Sequence, residues 1–144
     1  IGQNAGKDDL IRSGNQHSAL DRKTILVVED ISSNYLLISA MLSKHYNLLH
    51  AVNGEQAVAM VKEYKIDLLL MDMKMPVMDG LTATAEIRKF DTNIPIVALT
   101  AHAFESDKVA ALKSGCNDYL VKPVDKARLM SVLRKYCHPS TLVL

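Results

Sequence analysis

The chain has 144 residues, with 17 Lys and Arg against 16 Asp and Glu and a formal net charge of +1. This length provides one domain with a single hydrophobic core. Apolar residues make up 49% and charged residues 23%, which excludes a disordered chain. The wholly apolar runs are too short to span a membrane, and the absence of a basic block argues against a nucleic-acid binder.

The numbers and spacing of the cysteines and histidines argue against a disulfide framework and against a zinc site. The two cysteines, Cys116 and Cys137, are too few for a disulfide framework, and we interpret them as small buried side chains in a reducing compartment. The five histidines lack the spacing that is typical of a zinc site.

Composition divides the chain into three parts. Residues 1–22 are rich in Gly, Asn, Asp, Ser and Lys without periodicity, which predicts a linker or flexible arm. Residues 23–137 carry the pattern of a folded domain, and residues 138–144 form a short tail. Because the chain begins with Ile1 and not with Met, we expect a fragment of a longer protein.

The folded part begins with a strand, a helix and a second strand. The run over residues 25–28 is apolar and β-branched, which predicts a strand covered on both faces. Residues 47–52 predict a second strand, which is less uniformly apolar and therefore nearer a sheet edge. Between them lies an amphipathic helix whose buried face is predicted to consist of Ile31, Tyr35, Ile38 and Leu42.

The next helix and strand are marked by their ends. Asn53 is predicted to be a helix N-cap, with Gln56 completing a capping box. The clearest strand is the run over residues 68–71, which ends at Asp72, and a helix over residues 80–90 follows it. The buried stripe of the earlier helix is predicted to consist of Ala57, Val61 and Tyr64.

Two further units complete the domain. A strand is predicted over residues 94–99, and the helix over residues 103–113 ends at Gly115. A short strand over residues 119–121 precedes the last helix, residues 125–136. Its buried face is predicted to consist of Leu129, Val132, Leu133 and Tyr136. Five strand–helix units indicate an α/β protein with a parallel sheet and helices on both faces.

Polar side chains follow four of the five predicted strands. Glu29 and Asp30 follow the first strand, Asp72 the third, Thr100 the fourth and Lys122 the fifth. Functional groups in such sheets gather at the carboxyl ends of the strands, so we expect these side chains to meet. Three close carboxylates repel one another, and Mg²⁺ would relieve that repulsion. The hydroxyl and the ammonium would then bind the oxygens of an anion held by the metal.

Each of these residues also has a structural interpretation. Glu29 and Asp30 would cap the first helix, and Lys122 would be a solvated cation in a loop. Their coincidence at the ends of four separate strands favours a functional site over a set of unrelated caps.

Four segments resemble the receiver domains of the two-component response regulator family. They are residues 25–30, 71–80, 98–101 and 115–123, and the resemblance extends over about residues 23–136. It implies a flavodoxin-like (βα)5 fold, a doubly wound parallel sheet with strand order 2-1-3-4-5. It also implies a Mg²⁺-dependent phosphoacceptor domain in a phosphorelay.

The resemblance assigns the central chemistry to a few residues. Asp72 would be the phosphoacceptor, a carboxylate that takes a phosphoryl group from a phosphohistidine. Mg²⁺ would be bound by Asp30 and Asp72, by Glu29 directly or through a water, and by the backbone carbonyl of Lys74. Lys122 would contact the phosphoryl oxygens and neutralise part of their charge. Positioning and charge neutralisation are the main sources of catalysis in phosphoryl transfer. Its peptide bond to the following proline would be cis.

The resemblance also implies a switch. Thr100 would turn its hydroxyl toward the phosphoryl group, and Tyr119 would move inward behind it. The helix over residues 103–113 has few large apolar side chains, which is typical of a mobile or partner-facing element. The side chain of Lys74 would tune how long the phosphoryl group survives.

The motifs resemble receivers at the C-terminus of hybrid sensor histidine kinases, and a free-standing single-domain regulator is the alternative within the family. The expected partner is a histidine kinase or histidine phosphotransfer protein, without nucleic acid or direct membrane contact, and dimerisation is left open. The domain would be cytoplasmic, whether or not its parent protein is anchored in a membrane. No DNA-binding domain follows the last helix, so we expect no direct transcriptional control by this chain.

Two other classes fit the sequence less well. A flavodoxin-like binder of a flavin or nucleotide needs a phosphate loop rich in Gly or in Ser and Thr after the first strand, where this chain has Glu29 and Asp30. A pseudo-receiver that acts only as an interaction module would have lost part of the site, yet every expected position is filled. The domain would catalyse its own phosphorylation and dephosphorylation, and whether the chain is part of an enzyme is left open.

Overall fold

A computed structural model describes residues 22–137, which form one five-stranded parallel sheet with helices on both faces. The strands are β1 Thr24–Val28, β2 Asn47–Ala51, β3 Leu68–Asp72, β4 Ile96–Thr100 and β5 Asp118–Val121. The helices are α1 Ser32–Leu42, α2 Gly54–Glu63, α3 Gly80–Arg88, α4 Glu105–Ser114 and α5 Lys126–Tyr136. The predicted arm, apart from Arg22, and the predicted tail lie outside the described residues.

The strand order is β2-β1-β3-β4-β5, and all four pairings are parallel. This confirms the predicted doubly wound order 2-1-3-4-5. The chain leaves β1 toward one edge and returns to place β3 on the other side, so the order reverses between β1 and β3. In such sheets, ligands bind at the carboxyl ends of the strands at this reversal.

The sheet is covered on both faces because alternate residues of each strand point to opposite sides. One face packs against α1 and α5, and the other packs against α2, α3 and α4. Strands β3 and β4 are buried at every position, which explains why their sequences read as continuous apolar runs. Both predicted buried cysteines are confirmed as buried free thiols, and burial raises the pKa of Cys137 to about 11.

Two residues that were predicted to be buried are exposed. Ile31 is 51% exposed and Tyr64 is 46% exposed. Both lie at the ends of their helices with an extended backbone, Ile31 as the N-cap of α1 and Tyr64 as the C-cap of α2. The apolar spacing therefore extends beyond the first turn of α1 and the last turn of α2, where the side chain no longer faces the sheet.

The start of β4 also differs from the prediction. The strand begins at Ile96, two residues later than expected, although Ile94 is buried. Pro95 has no backbone N–H, so it cannot donate to a neighbouring strand, but its carbonyl accepts a hydrogen bond from the Leu69 amide at 2.9 Å. The apolar run is therefore longer than the strand that it encodes.

Helix α4 is packed more thinly than its neighbours, as its sequence predicts. Ala111 is its one buried residue, while Phe104 at its N-cap is 62% exposed and Val109 and Leu112 are also exposed. It ends at Gly115, whose φ of 117° is the left-handed conformation that glycine adopts at low cost. Within residues 22–137, no helix is both long enough and apolar enough to cross a membrane.

Candidate functional site

Three carboxylates meet where β1 and β3 end side by side. Glu29 and Asp30 directly follow β1, and Asp72 is the last residue of β3. Each offers one carboxylate oxygen, and these three oxygens lie within 4.8 Å of one another. Glu29 and Asp72 are buried, whereas Asp30 is more exposed to solvent. The structure thus brings together the acidic residues that the strand-end argument expected to meet.

Lys122 places its ammonium between two of these carboxylates. Its Nζ lies 2.9 Å from Oδ2 of Asp72 and 3.3 Å from Oε1 of Glu29. Burial disfavours the charged ammonium, but the hydrogen bond to Asp72 and the charges of both carboxylates outweigh it, so the pKa of Lys122 is raised. The interpretation of Lys122 as a solvated loop cation is therefore wrong. The peptide bond between Lys122 and Pro123 is cis, as predicted.

The single positive charge of Lys122 does not offset the effects of burial and of the Asp72 charge on Glu29. Burial raises the pKa of its carboxyl group, and the neighbouring charge of Asp72 raises it further. Lys122 and the amide of Ile31 act in the opposite direction without reversing the shift. Three carboxylates facing one ammonium leave an excess of negative charge, which a divalent cation is suited to balance.

Helix capping does not explain the acidic pair. The N-cap of α1 is Ile31, which provides no side-chain cap, and Asp30 lies before it. Oε2 of Glu29 accepts a hydrogen bond from the Ile31 amide at 3.2 Å and from Nδ2 of Asn34 at 3.5 Å. The capping interpretation therefore accounts for one carboxylate oxygen of Glu29. It does not account for Asp30, whose carboxylate lies in the acidic cluster.

The loop between β3 and α3 orients Asp72. The backbone amide of Lys74 donates to Oδ1 of Asp72 at 3.1 Å, so each carboxylate oxygen of Asp72 has its own donor. A Cβ atom on Gly80 would collide with the carbonyl oxygen of Asp72, so only glycine allows α3 to begin this close to the end of β3. The role of the Lys74 carbonyl as a metal ligand stays a prediction.

Thr100 and Tyr119 lie on the neighbouring strands β4 and β5. Tyr119 pairs with Ala98, two residues before Thr100, so their side chains share one face of the sheet. The hydroxyl of Thr100 donates to the carbonyl of His102 at 3.1 Å and accepts from its amide at 3.3 Å. The ring of Tyr119 lies 4.9 Å from Nζ of Lys108 on α4. Thr100 thus contacts the segment that leads into α4, and Tyr119 contacts α4 itself.

Two depressions flank the pair formed by Asp72 and Lys122. A cavity of about 330 Å³ lies between the β3–α3 loop and α4, and Lys74 and Thr100 line it. A groove of about 290 Å³ lies on the other side, between α1 and the segment after β5, where Leu37 and Lys122 line it. Lys74 and Lys122 thus each line one of the two depressions.

One residue of this region was missed by sequence reasoning. Nε2 of His50, on β2, lies 2.8 Å from the backbone carbonyl oxygen of Glu29. A single histidine within an apolar strand belongs to no motif, so no signal in the sequence marks this contact.

Comparison with known proteins identifies the family. A family model described as "Response regulator receiver domain" matches residues 25–134. The chain is 41% identical to hybrid signal transduction histidine kinase M of Dictyostelium discoideum, over 77% of this chain and 5% of that protein. It is also 41% identical to sensor histidine kinase GacS of Pseudomonas protegens, over 78% of this chain and 13% of that protein. The chain therefore spans a small part of these curated relatives.

Two solved structures have the same fold. One is the receiver domain of a sensor histidine kinase from Pseudomonas aeruginosa, with a magnesium ion in its active site cleft. It is 40% identical to this chain and has a TM-score of 0.74, and the match covers 79% of this chain and 96% of that one. The other is the receiver domain of Ssk1 from Saccharomyces cerevisiae with the histidine phosphotransfer protein Ypd1, at 36% identity and TM-score 0.76, over 80% of this chain and 88% of that one. On the family match and these identities, this chain belongs to the response regulator receiver domains.

Proposed function

We propose that this receiver domain accepts a phosphoryl group from a phosphohistidine onto Asp72, in a Mg²⁺-dependent phosphorelay. The observation that carries the proposal is the position of the Asp72 carboxylate. One side of it contacts the Lys122 ammonium at 2.9 Å, and the other carboxylates of the cluster lie within 4.8 Å. An anionic nucleophile held between a cation and a metal-binding cluster is suited to phosphoryl transfer.

The acidic cluster fits a magnesium ion. Glu29, Asp30 and Asp72 provide hard oxygen ligands at mutual distances that one ion can bridge, and the Lys74 carbonyl is the proposed further ligand. When bound, the ion neutralises the carboxylates and the oxygens of the incoming phosphoryl group. The magnesium ion in the related Pseudomonas receiver supports this assignment.

The residues of the chain account for the rest of the transfer. A carboxylate oxygen of Asp72 forms the new bond to phosphorus, and the bond from phosphorus to the donor's imidazole nitrogen breaks. The Lys74 amide fixes the orientation of the carboxylate, and Lys122 balances charge on the transferred oxygens. These contacts exist before the donor arrives, so little rearrangement is needed at the moment of transfer.

The switch is proposed to begin at Thr100. A phosphorylated Asp72 carries a charge of about −1.5 to −2 on its phosphoryl oxygens in place of the single negative charge of the carboxylate. This gives the hydroxyl of Thr100 a stronger acceptor than the carbonyl of His102. When Thr100 turns, Tyr119 follows into the space that it leaves, and the contact of Tyr119 with Lys108 is broken. The thin packing of α4 allows this helix to respond at low cost.

The parent protein is proposed to be a hybrid sensor histidine kinase, in which residues 23–137 form the receiver domain. Support comes from the two histidine kinases that share 41% identity with this chain. A cytoplasmic location is proposed because both cysteines are free thiols.

Intact-mass measurement tests the proposal directly. The wild-type chain incubated with Mg²⁺ and acetyl phosphate should gain the mass of one phosphoryl group, because the small donor needs no docking surface. A chelator should prevent the gain, and added Mg²⁺ should restore it. No gain at saturating Mg²⁺ would show that the domain is a pseudo-receiver.

The groove beside Lys122 is proposed to receive the phosphohistidine-bearing protein. It lies next to Asp72, and Leu37 on its α1 side is 50% exposed, while Ile31 and Leu36 extend the apolar surface along α1. An exposed apolar surface of this kind marks a protein contact. The complex of the related Ssk1 receiver with Ypd1 supports this type of partner.

Leu37→Gln should separate docking from chemistry. We expect phosphotransfer from phosphorylated Ypd1 to slow about tenfold or more, because an apolar contact at the centre of the interface is lost. Phosphorylation by acetyl phosphate should stay at the wild-type rate. Leu112→Gln is the matched control, since Leu112 is similarly exposed on α4, which packs on the opposite face of the sheet. Equal rates for the two variants with Ypd1 would contradict docking at this groove.

A further inference from the structure

His50 holds the backbone from which two of the acidic side chains project. It lies on β2, and its Nε2 is 2.8 Å from the carbonyl oxygen of Glu29. Since a carbonyl oxygen only accepts, Nε2 carries the proton and donates. The imidazole ring is stacked on the ring of Tyr35 from α1, with centroids 3.8 Å apart and planes inclined by 6°. The ring is therefore fixed both by its hydrogen bond and by its neighbour.

This hydrogen bond takes over where the backbone pairing of β1 and β2 runs out. The register ends with Val28 opposite Ala51, and the Glu29 amide adds a last bond to the Ala51 carbonyl at 2.9 Å. In a continued parallel ladder, the Glu29 carbonyl would accept from the backbone amide of residue 53. Strand β2 has ended by then, and the side chain of His50 provides the donor instead.

The orientation of this carbonyl determines where the carboxylates lie. The peptide unit is planar, so fixing the Glu29 carbonyl also fixes its bond to Asp30. Asn34, the neighbour of Tyr35 on α1, lies 3.5 Å from the Glu29 carboxylate. Two residues in the first turn of α1 therefore act on Glu29. Asn34 contacts its carboxylate directly, and Tyr35 supports the His50 ring that binds its carbonyl oxygen.

We propose that His50 is a positioning residue for the cluster of Glu29, Asp30 and Asp72. It is not among the proposed ligands of the ion or of the phosphoryl group, and it acts through the peptide unit between Glu29 and Asp30. By holding this unit in the metal-free protein, His50 reduces the ordering that ion binding requires. This inference rests on the proposed function, since it assigns His50 to the same metal site.

The test compares His50→Leu with His50→Gln. Leucine keeps much of the volume and removes the donor, whereas the glutamine amide can donate in place of Nε2. We expect His50→Leu to raise the Mg²⁺ dissociation constant about tenfold, the lower end for loss of an outer hydrogen bond at a metal site. His50→Gln should recover most of the affinity. His45→Leu, at the turn before β2, is the control and should bind Mg²⁺ as the wild type does.

Amide hydrogen exchange in the metal-free proteins provides a second readout. In His50→Leu, the amides of Asp30 and Ile31 should exchange faster, while those in the centre of β3 keep the wild-type rate. Unchanged Mg²⁺ affinity in His50→Leu, equal loss in the glutamine variant, or faster exchange throughout the sheet would overturn the proposal. Complete unfolding of His50→Leu would overturn it too, because His50 would then serve the fold as a whole. If the wild type binds no Mg²⁺, the proposed function fails, and the exchange rates still test whether His50 holds the peptide.

Discussion

Asp72→Asn should abolish covalent phosphorylation from every donor and leave the fold intact. The variant replaces an anionic oxygen nucleophile with a neutral amide of nearly the same shape. Among residues 22–137, no other carboxylate occupies the position between the Lys74 amide and the Lys122 ammonium. Loss of the Asp72 charge weakens its bond to Lys122 and also relieves its repulsion with Glu29. These opposing changes should keep the unfolding free energy within about 1 kcal/mol of the wild-type value.

The matched control for this variant is Asp79→Asn in the same loop. Asp79 is the N-cap of α3 and accepts from the Thr82 amide at 2.8 Å, a contact that asparagine makes equally well. The control should gain one phosphoryl group by intact mass, and Asp72→Asn should gain none. Phosphorylation of Asp72→Asn to the wild-type extent would move the acceptor to another residue.

Lys122→Met should destabilise the metal-free protein and slow phosphorylation strongly. The variant leaves the buried carboxylates of Glu29 and Asp72 without their ammonium, and removing one partner from a buried ion pair is strongly destabilising. Because 24% of the Lys122 side chain is exposed, solvent screens part of this effect, and we expect a loss of about 3 kcal/mol. Urea unfolding should show that millimolar Mg²⁺ restores more stability to this variant than to the wild type.

An exposed ion pair with the same distance is the control. Lys89 lies 2.9 Å from Glu86, but 70% of the Lys89 side chain and 40% of the Glu86 side chain are exposed. Lys89→Met should lower the unfolding free energy by about 0.5 kcal/mol or less. Adding Glu29→Gln to Lys122→Met should recover part of the lost stability, because it removes one of the unpaired charges. Equal losses in the two lysine variants would contradict the assignment of Lys122 to a buried, charge-balancing role.

The sheet was predictable because burial on both faces leaves a clear pattern. A strand such as β3 has no polar side to interrupt its apolar run, and it is buried at every position. The same signal is poor at boundaries, since Ile94 is buried without belonging to β4. The spacing of apolar residues also does not show where a helix begins or ends. The prediction that Ile31 and Tyr64 are buried was wrong for this reason, since they are the N-cap of α1 and the C-cap of α2.

The convergence of the acidic residues followed from topology, since parallel strands end at one edge of the sheet. The contact of His50 with Glu29 was not predictable in this way. It depends on the register of β1 against β2 and on the ring of Tyr35 lying above the strand. The direction of the Thr100 hydroxyl, toward His102, likewise depends on a loop conformation that residue types do not specify.

The separation of the site residues along the chain has a consequence for biosynthesis. Lys122 is 50 residues from Asp72 and 93 residues from Glu29, and each comes from a different strand. Contacts so distant in sequence form late, after the intervening segments have been ordered. A nascent polypeptide interrupted before β5 would carry Asp72 without the ammonium of Lys122 that contacts it in the complete domain. If Asp72 and Lys122 act as proposed, phosphoryl transfer is expected only to molecules that have completed β5.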